Sequence, residues 1–203
     1  MQIRGVLFSG ILVLACVGMC PAADLGVDFT TPDYVGSYYS FNAGYSFNVL
    51  APVDLVGLAV LAPSSDHDVA VWGPDETLIA SATVTPSDPR IGAESYFSWT
   101  SVTPVLLLPG IDYRVAATTL NDFYVALTSG LFTDPNIQYN DGIAEYAPSG
   151  QLAYPDSCCI QVVAGGIFGG DIVVSDVPEP GCLAALGLGL MAVFAYARPR
   201  VRG

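Results

Sequence analysis

The sequence contains no lysine and only six arginines, against 19 aspartates and glutamates. Without a lysine amine, P-loop phosphate binding, Schiff-base chemistry and Ser–Lys catalysis are excluded. The formal net charge of −13 argues against a nucleic-acid partner, because neutralising phosphates requires clustered basic residues. Charged residues make up 12% and hydrophobic residues 52%, so this is not a disordered chain. Its 203 residues suffice for one domain with terminal segments.

The charges are distributed unevenly along the chain. Every acidic residue lies between Asp24 and Glu179, a region with only two arginines, Arg90 and Arg114. The other four arginines lie near the ends, where the sequence is otherwise apolar. This pattern predicts an acidic folded domain between two membrane-directed segments. The predicted parts are a signal peptide at 1–23, a domain at 24–175 and a tail at 176–203.

The first 23 residues have the three regions of a secretory signal peptide. Arg4 gives a positive start, residues 6–17 are apolar, and Cys20-Pro21-Ala22-Ala23 provides small residues for cleavage. The apolar run is shorter than the ~20 residues that cross a bilayer as a helix. An uncleaved anchor and a lipoprotein box at 13–16 are the alternatives. We expect export, with cleavage after Ala22 or Ala23.

The C-terminal tail contains an uncharged run and a basic end. Residues 181–197 carry no charge and would extend about 25 Å as a helix, which is at the short end of the membrane-spanning range. Arg198, Arg200 and Arg202 follow, so the positive-inside rule predicts a cytoplasmic basic end and an external acidic domain. A buried core helix is the alternative, but it would not account for these arginines.

The segment Val177-Pro178-Glu179-Pro180, followed by the apolar run and the arginine-rich end, resembles a PEP-CTERM sorting signal. Proteins with that signal are bacterial substrates of exosortase, a membrane-embedded cysteine transpeptidase-like enzyme. The resemblance implies that Pro178, Glu179 and Pro180 are recognition residues for a processing enzyme. It also implies an inner-membrane-anchored precursor that moves to the cell surface or an extracellular matrix, often one of exopolysaccharide.

Between the two ends the sequence predicts short strands and no long helix. Runs rich in Val, Ile, Tyr, Phe and Thr are separated by Pro, Gly, Asp and Ser. This spacing predicts an all-β fold, an antiparallel β-sandwich of jelly-roll-like type. The predicted strands are 46–50, 55–62, 67–72, 78–84, 95–101, 105–108, 113–119, 123–128, 160–164 and 171–174.

The region 45–128 also resembles a bacterial extracellular β-sandwich family of unknown function. The sequences HDVAVWGPDETLIASATVTP and PVLLLPGIDYRVAA carry this resemblance. It implies a fold and no activity.

No residue is assigned a catalytic role. His67 lies between Asp66 and Asp68, but successive strand residues point to opposite faces, so we expect a strand-edge histidine without a chemical role. A Gly-x-Ser-x-Gly elbow for a nucleophilic serine does not occur. Three glutamates have no spacing that favours a glycosidase acid–base pair: Glu76, Glu94 and Glu145.

An oxygen-rich segment at 134–142 is the one candidate metal site. Tyr139 stands where an EF-hand needs glycine, so that loop is excluded. The sequence predicts no cofactor, and this segment is expected to be a turn that uses Asx chemistry. A looser calcium site is the alternative, because calcium would stabilise a self-repelling acidic surface outside the cell. The candidate ligands are Asp134, Asn136, Asn140 and Asp141.

Cys158 and Cys159 are the two cysteines of the predicted domain, and export favours their oxidation. A disulfide between adjacent residues would be strained, because Cα atoms about 3.8 Å apart lie below the usual range of roughly 4.4–6.8 Å. An intermolecular disulfide and two buried thiols are equal alternatives.

The sequence therefore predicts an exported, non-enzymatic surface or matrix protein that an exosortase-type enzyme sorts and processes through its tail. The first alternative is a carbohydrate-binding module of an exopolysaccharide matrix, with tyrosines that either stack on sugars or pack in the core. The second alternative is a secreted hydrolase with an unrecognised site. The tyrosines are Tyr34, Tyr38, Tyr39 and Tyr45.

Overall fold

The computed structural model describes residues 23–32, 40–120, 125–126, 128–147, 150–156 and 167–177. Within these ranges the protein is all-β, with antiparallel sheets. The strands belong to one compact unit, Ala23–Asp176. No helix in the described ranges has the length and apolarity needed to cross a bilayer. Predictions for 1–22, 160–164 and 178–203 lie outside the described residues.

The strands of the described ranges, in chain order, are β1 (Asp24–Leu25), β2 (Val27–Asp28), β3 (Thr31–Pro32), β4 (Phe41–Val49), β5 (Val53–Leu61), β6 (His67–Trp72), β7 (Leu78–Val84), β8 (Arg90–Ile91), β9 (Phe97–Leu107), β10 (Gly110–Thr118), β11 (Val125–Ala126), β12 (Thr128–Ser129), β13 (Phe132–Thr133), β14 (Ile137–Tyr146), β15 (Ile167–Phe168) and β16 (Gly170–Asp176).

The longer strands form two five-stranded sheets. The first sheet has the order β1-β16-β5-β9-β8, and the second has the order β14-β4-β10-β6-β7. Short strands form three further pairs, β11-β15, β12-β3 and β13-β2. The consecutive strands β4 and β5 belong to different sheets, as do β9 and β10, so the chain crosses between the sheets at these two connections.

One hydrophobic core contains residues of both sheets. In β6, Val69 and Val71 point into this core. The alternate residues Ala70 and Trp72 are buried on the opposite face, where Tyr154 packs against them. Phe47 of β4 is fully buried and stacks on Tyr113 of β10, with 5.5 Å between the ring centroids. Each fully buried Val, Leu or Phe contributes roughly 1.5–3 kcal/mol of transfer free energy, so these side chains hold the sheets together.

The sequence predicted two strands correctly at both ends and divided a third. Segments 67–72 and 78–84 coincide with β6 and β7. Segments 95–101 and 105–108 are one strand, β9, which continues through Pro104. The pairing of β9 with β5 is irregular between Ser101 and Val105, and β8 pairs only at the start of β9. The missing N–H of Pro104 therefore costs no ladder hydrogen bond.

The sequence missed β14, because the segment 134–142 was predicted to be a loop. From Ile137 onward it pairs with β4 over ten residues, with an irregularity between Tyr139 and Asp141. A bulge at that point accommodates Asn140 without ending the strand. Pairing with a distant strand therefore overrides a local composition that is typical of turns.

Candidate functional site

An acidic cleft with a volume of about 480 Å³ lies beside the N-terminal strands. Asp24, Asp28 and Asp134 line it, together with apolar residues that include Phe132. Pairing of β2 with β13 places Asp28 opposite Phe132, and Asp134 N–H donates a 3.1 Å hydrogen bond to the carbonyl of Gly26. Phe132 is 46% exposed, so its ring is available to a ligand.

Asp28 connects two backbone segments at the base of the cleft. It is 5% exposed, and its Oδ1 accepts a 2.7 Å hydrogen bond from Phe29 N–H. Its Oδ2 accepts a 2.7 Å hydrogen bond from Ala93 N–H, across the fold. A Cβ at Gly92 would lie 3.0 Å from this Oδ2, and Gly92 has a φ of +96° that favours glycine. Asp28 therefore has a structural role, because backbone N–H groups donate hydrogen bonds to both of its carboxylate oxygens.

Asp134 is the half-buried carboxylate of the cleft. Burial raises the pKa of Asp134, and the nearby charges of Asp176 and Asp24 raise it further. Hydrogen bonds from Asn136 oppose this shift, including a 2.8 Å bond from Asn136 N–H to Asp134 Oδ1. A cation or a hydroxyl donor near Asp134 would relieve this mutual repulsion. The cleft therefore suits hydrogen-bond donors or positive groups.

The structure divides the four predicted calcium ligands between two places. Asp134 and Asn136 lie in the turn before β14, where Asn136 Nδ2 donates a 2.9 Å hydrogen bond to Asp176 Oδ1. Asn140 and Asp141 lie within β14, four and five residues beyond Asn136. Four extended residues separate the Cα atoms of Asn136 and Asn140 by about 13 Å. Each ligand of a calcium ion must lie roughly 2.3–2.6 Å from it, so the two pairs are too far apart to share one ion. In the described ranges, no three His, Cys, Asp or Glu side chains are grouped to share a metal ion.

A tyrosine–carboxyl pair lies in the core. The Tyr45 hydroxyl donates a hydrogen bond to Asp171 Oδ1, which also accepts a 2.7 Å bond from Ile172 N–H, and both ionisable side chains are fully buried. Asp171 Oδ2 accepts no hydrogen bond of ordinary geometry within the described part of the protein, although the Val27 N–H lies near enough to the carboxyl to lower its pKa. Burial raises the pKa of Asp171 well above its ordinary value, and it also raises the pKa of Tyr45. The Asp171 carboxyl therefore favours its neutral, protonated form.

His67 is a core residue rather than the predicted strand-edge residue. It is 1% exposed, at the start of β6, which lies between β10 and β7. Its Nδ1 lies within hydrogen-bond distance of the Thr118 carbonyl oxygen, and its Nε2 lies 3.3 Å from Ser65 Oγ. Hydrogen bonds to the Thr118 carbonyl and to Ser65 therefore satisfy the ring of this buried histidine.

The three glutamates considered for sugar chemistry lie on different elements of the fold. Glu76 lies in the turn after β6, Glu94 lies in the turn before β9, and Glu145 Oε2 accepts a 3.0 Å hydrogen bond from Asp156 N–H. Tyr45 belongs to the core. Tyr34, Tyr38 and Tyr39 lie outside the described residues.

Arg114 fixes the segment 150–156 over the outer face of the second sheet. Its Nη1 donates a 2.6 Å hydrogen bond to the Pro155 carbonyl, and its guanidinium lies 4.9 Å from the ring centroid of Tyr154. Its Nη2 lies 3.2 Å from Asp112 Oδ2. Trp72 packs edge-on against Tyr154 and is 6% exposed, so this tryptophan does not present a sugar-stacking surface.

The remaining predicted site residues lie outside the described residues: Pro178, Glu179, Pro180, Arg198, Arg200, Arg202, Cys158 and Cys159. Sequence reasoning missed Asp24 and Asp28 as neighbours of Asp134, because only the strand pairing brings them together.

In comparisons with known proteins, no family model matches the chain, and no curated protein matches it.

Proposed function

We propose that this is an exported, non-enzymatic surface or extracellular-matrix protein, a jelly-roll-like β-sandwich that is sorted and processed through its C-terminal tail. The observation that carries this proposal is where the last strand ends. Strand β16 ends at Asp176, directly before the segment Val177-Pro178-Glu179-Pro180. Every described strand therefore precedes the sorting motif, and an enzyme that processes the chain there leaves both sheets intact.

The position of β16 within its sheet strengthens this argument. It lies between β1 and β5, and its register with β5 runs from Gly170 to Asp176. A cut inside β16 would remove an interior strand from the first sheet. A cut at the motif removes no described strand, so both sheets would be retained.

The charge of the folded part supports an external location. The two arginines of the acidic region are both engaged, because Arg90 Nη1 donates a 3.1 Å hydrogen bond to the Tyr96 carbonyl and Arg114 pairs with Asp112. The acidic surface repels copies of itself and so favours solubility.

In this proposal an exosortase-type enzyme recognises the motif, and residues 181–197 hold the precursor in the inner membrane before release to the surface or matrix.

Mass spectrometry of both chain ends, in fractionated cells of the native host, tests the proposal. We expect the surface fraction to begin near Asp24 and to lack peptides covering 194–197. The variant P178A/E179A/P180A should accumulate in the membrane fraction with an intact tail. The matched control P74A/E76A changes the same residue types in the exposed turn after β6 and should be processed normally. Abundant surface protein that retains 194–197 would contradict processing.

A second candidate function is binding of a carbohydrate chain, and the exposed ring of Phe132 favours it. An aromatic ring beside carboxylates offers a stacking surface together with acceptors for sugar hydroxyls. We expect F132A to lose retention on a polysaccharide affinity gel that retains the parent chain. The control Y146A changes a tyrosine that is 56% exposed and packs against Phe41, outside the cleft lining. Equal retention of the two variants would argue against the cleft as the binding site.

A further inference from the structure

Four large apolar side chains are exposed together at one end of the sheets, which we name the apolar end. Leu50 and Leu108 lie in the connections β4–β5 and β9–β10, whereas Leu106 lies at the end of β9 and Ile111 at the start of β10. Clustered exposed apolar surface marks an interaction site, whereas single exposed apolar residues need no explanation. The residues and their exposed fractions are Leu50 57%, Leu106 50%, Leu108 57% and Ile111 72%.

The strand registers show that the two connections lie side by side. In the second sheet, Val49 pairs with Gly110, which places Leu50 and Ile111 one residue from paired positions. In the first sheet, Val53 pairs with Leu107, whose neighbours in sequence are Leu106 and Leu108. The apolar end is therefore built from adjoining chain segments.

The C-terminal tail leaves the folded unit at the same end. Asp176, the last residue of β16, pairs with Val53 and so lies in the same row as Leu107. Asn136 connects this exit to the apolar end by two hydrogen bonds. Its side-chain Nδ2 donates to Asp176 Oδ1 at 2.9 Å, and its carbonyl accepts from Leu50 N–H at 2.8 Å.

The sequence after Asp176 restricts how far this end can lie from a membrane. Four residues, 177–180, separate Asp176 from the uncharged run 181–197. Four fully extended residues reach at most about 14 Å. Once 181–197 spans a bilayer, the exit of the folded unit stays within about that distance of the lipid.

We propose that the apolar end of the precursor docks on the lipid surface, with Leu50, Leu108 and Ile111 in contact with the bilayer interface. This inference rests on the proposed function, in which 181–197 is the membrane anchor. The short tether and the exposed apolar residues are independent observations, and both point to the same end of the fold.

The chemistry of the surrounding residues specifies the kind of lipid. The acidic residues near the apolar end include Asp54, Asp112 and Asp176, and Asp134 lies close enough to Asp176 for their charges to interact. Of the two arginines in the described ranges, Arg114 is paired with Asp112, and Arg90 lies on β8 at the opposite end of β9. Attraction to anionic headgroups therefore contributes little, and the contact is an apolar one with a zwitterionic interface.

Lipid-borne quenching of tryptophan fluorescence tests the inference on the full-length chain in phosphatidylcholine vesicles. The variant I111W places a reporter at the apolar end. The control E94W places one in the turn before β9, about 33 Å away along that strand. Each signal is compared with that of the parent chain, which contains two tryptophans. We expect brominated phosphatidylcholine to quench the I111W reporter several-fold more than the E94W reporter.

The possible results separate this inference from the proposed function. A chain that fails to float with vesicles would refute the membrane anchor itself. A chain that floats, but whose I111W and E94W reporters are quenched equally, would refute docking of the apolar end alone. A blue-shifted I111W emission that disappears on dilution in detergent, without quenching by lipid, would show that a second copy covers this surface and would also overturn the inference. Adding L50S and L108S to I111W should remove the lipid quenching.

Discussion

Replacing Asp171 by asparagine tests whether the core contains a neutral carboxylic acid. The pKa of Asp171 is raised by burial, whereas an unfolded aspartate has a pKa of about 3.9. Below that value both states are protonated, and the carboxyl contributes its full stability. As the pH rises, the unfolded state loses its proton first, so the free energy of unfolding falls by about 1.4 kcal/mol per pH unit. This stability is lost progressively until the raised pKa is passed.

The substitution D171N should remove this pH dependence at a fixed structural cost. The amide oxygen can still accept hydrogen bonds from the Tyr45 hydroxyl and from Ile172 N–H, because both bonds use Oδ1. The amide nitrogen takes the place of Oδ2, which accepts no hydrogen bond of ordinary geometry in the described part of the protein. The neutral carboxyl leaves one O–H donor unpaired at that position whereas the amide leaves two N–H donors, and each unsatisfied buried donor costs about 1–3 kcal/mol. We therefore expect D171N to be less stable than wild type near pH 4, with the difference shrinking by about 1.4 kcal/mol per pH unit.

Urea unfolding of the full-length chain, followed by tryptophan fluorescence at several pH values above about 4, measures this difference. Subtracting the two curves removes the contributions of the other carboxylates, including Asp134, whose pKa is also raised. The control Y45F removes the hydroxyl donor but keeps the carboxyl, so it should lower stability while retaining the pH dependence. Parallel pH profiles of wild type and D171N would show that Asp171 is not held neutral and would refute the reasoning.

Three further predictions concern stability. R114K should lower the free energy of unfolding by roughly 1 kcal/mol and speed amide hydrogen exchange in 150–156, because lysine lacks the planar group that contacts Tyr154 and Pro155. Unchanged exchange would contradict this role. E76G should raise the free energy of unfolding by roughly 0.5 kcal/mol, since Glu76 has a φ of +64° that glycine adopts without strain. An equal or lower free energy of unfolding would show that the turn is unstrained. G57A should lower the free energy of unfolding in urea by about 1–3 kcal/mol, because its Cβ would lie 2.7 Å from the Trp99 ring and 2.8 Å from the Thr100 carbonyl oxygen. Unchanged stability would mean that the strands move apart easily.

The sequence predicted those strands whose signal is local. In β6, Val69 and Val71 lie two residues apart and both belong to the core, and Gly73 begins a tight turn into β7. Strand β14 was missed because its pairing with β4 decides its conformation, whereas its own composition resembles that of a turn. Any prediction from local patterns has this limit, because pairing partners are distant in sequence.

The acidic cleft could be predicted only in part. Asp134 was singled out as an oxygen ligand, but Asp24 and Asp28 lie more than a hundred residues earlier in the sequence. Pairing of β2 with β13 places Asp28 beside Phe132, pairing of β1 with β16 positions Asp24, and no local sequence pattern predicts either pairing. The apolar end was missed for the same reason. The sequence around Pro109-Gly110 predicts a turn, but only the register shows that Leu50 lies beside it.

The strand order also has a consequence for biosynthesis. The first sheet needs β16 as the partner of both β1 and β5, yet β16 is the last of the described strands to leave the ribosome. Contacts between chain segments so distant in sequence form late and slowly. The second sheet needs no strand after β14, which ends at Tyr146, whereas the first sheet stays unfinished until β16 has been made. A nascent chain can therefore complete its second sheet before its first, and the core that the two sheets share stays open until Asp176 has been added.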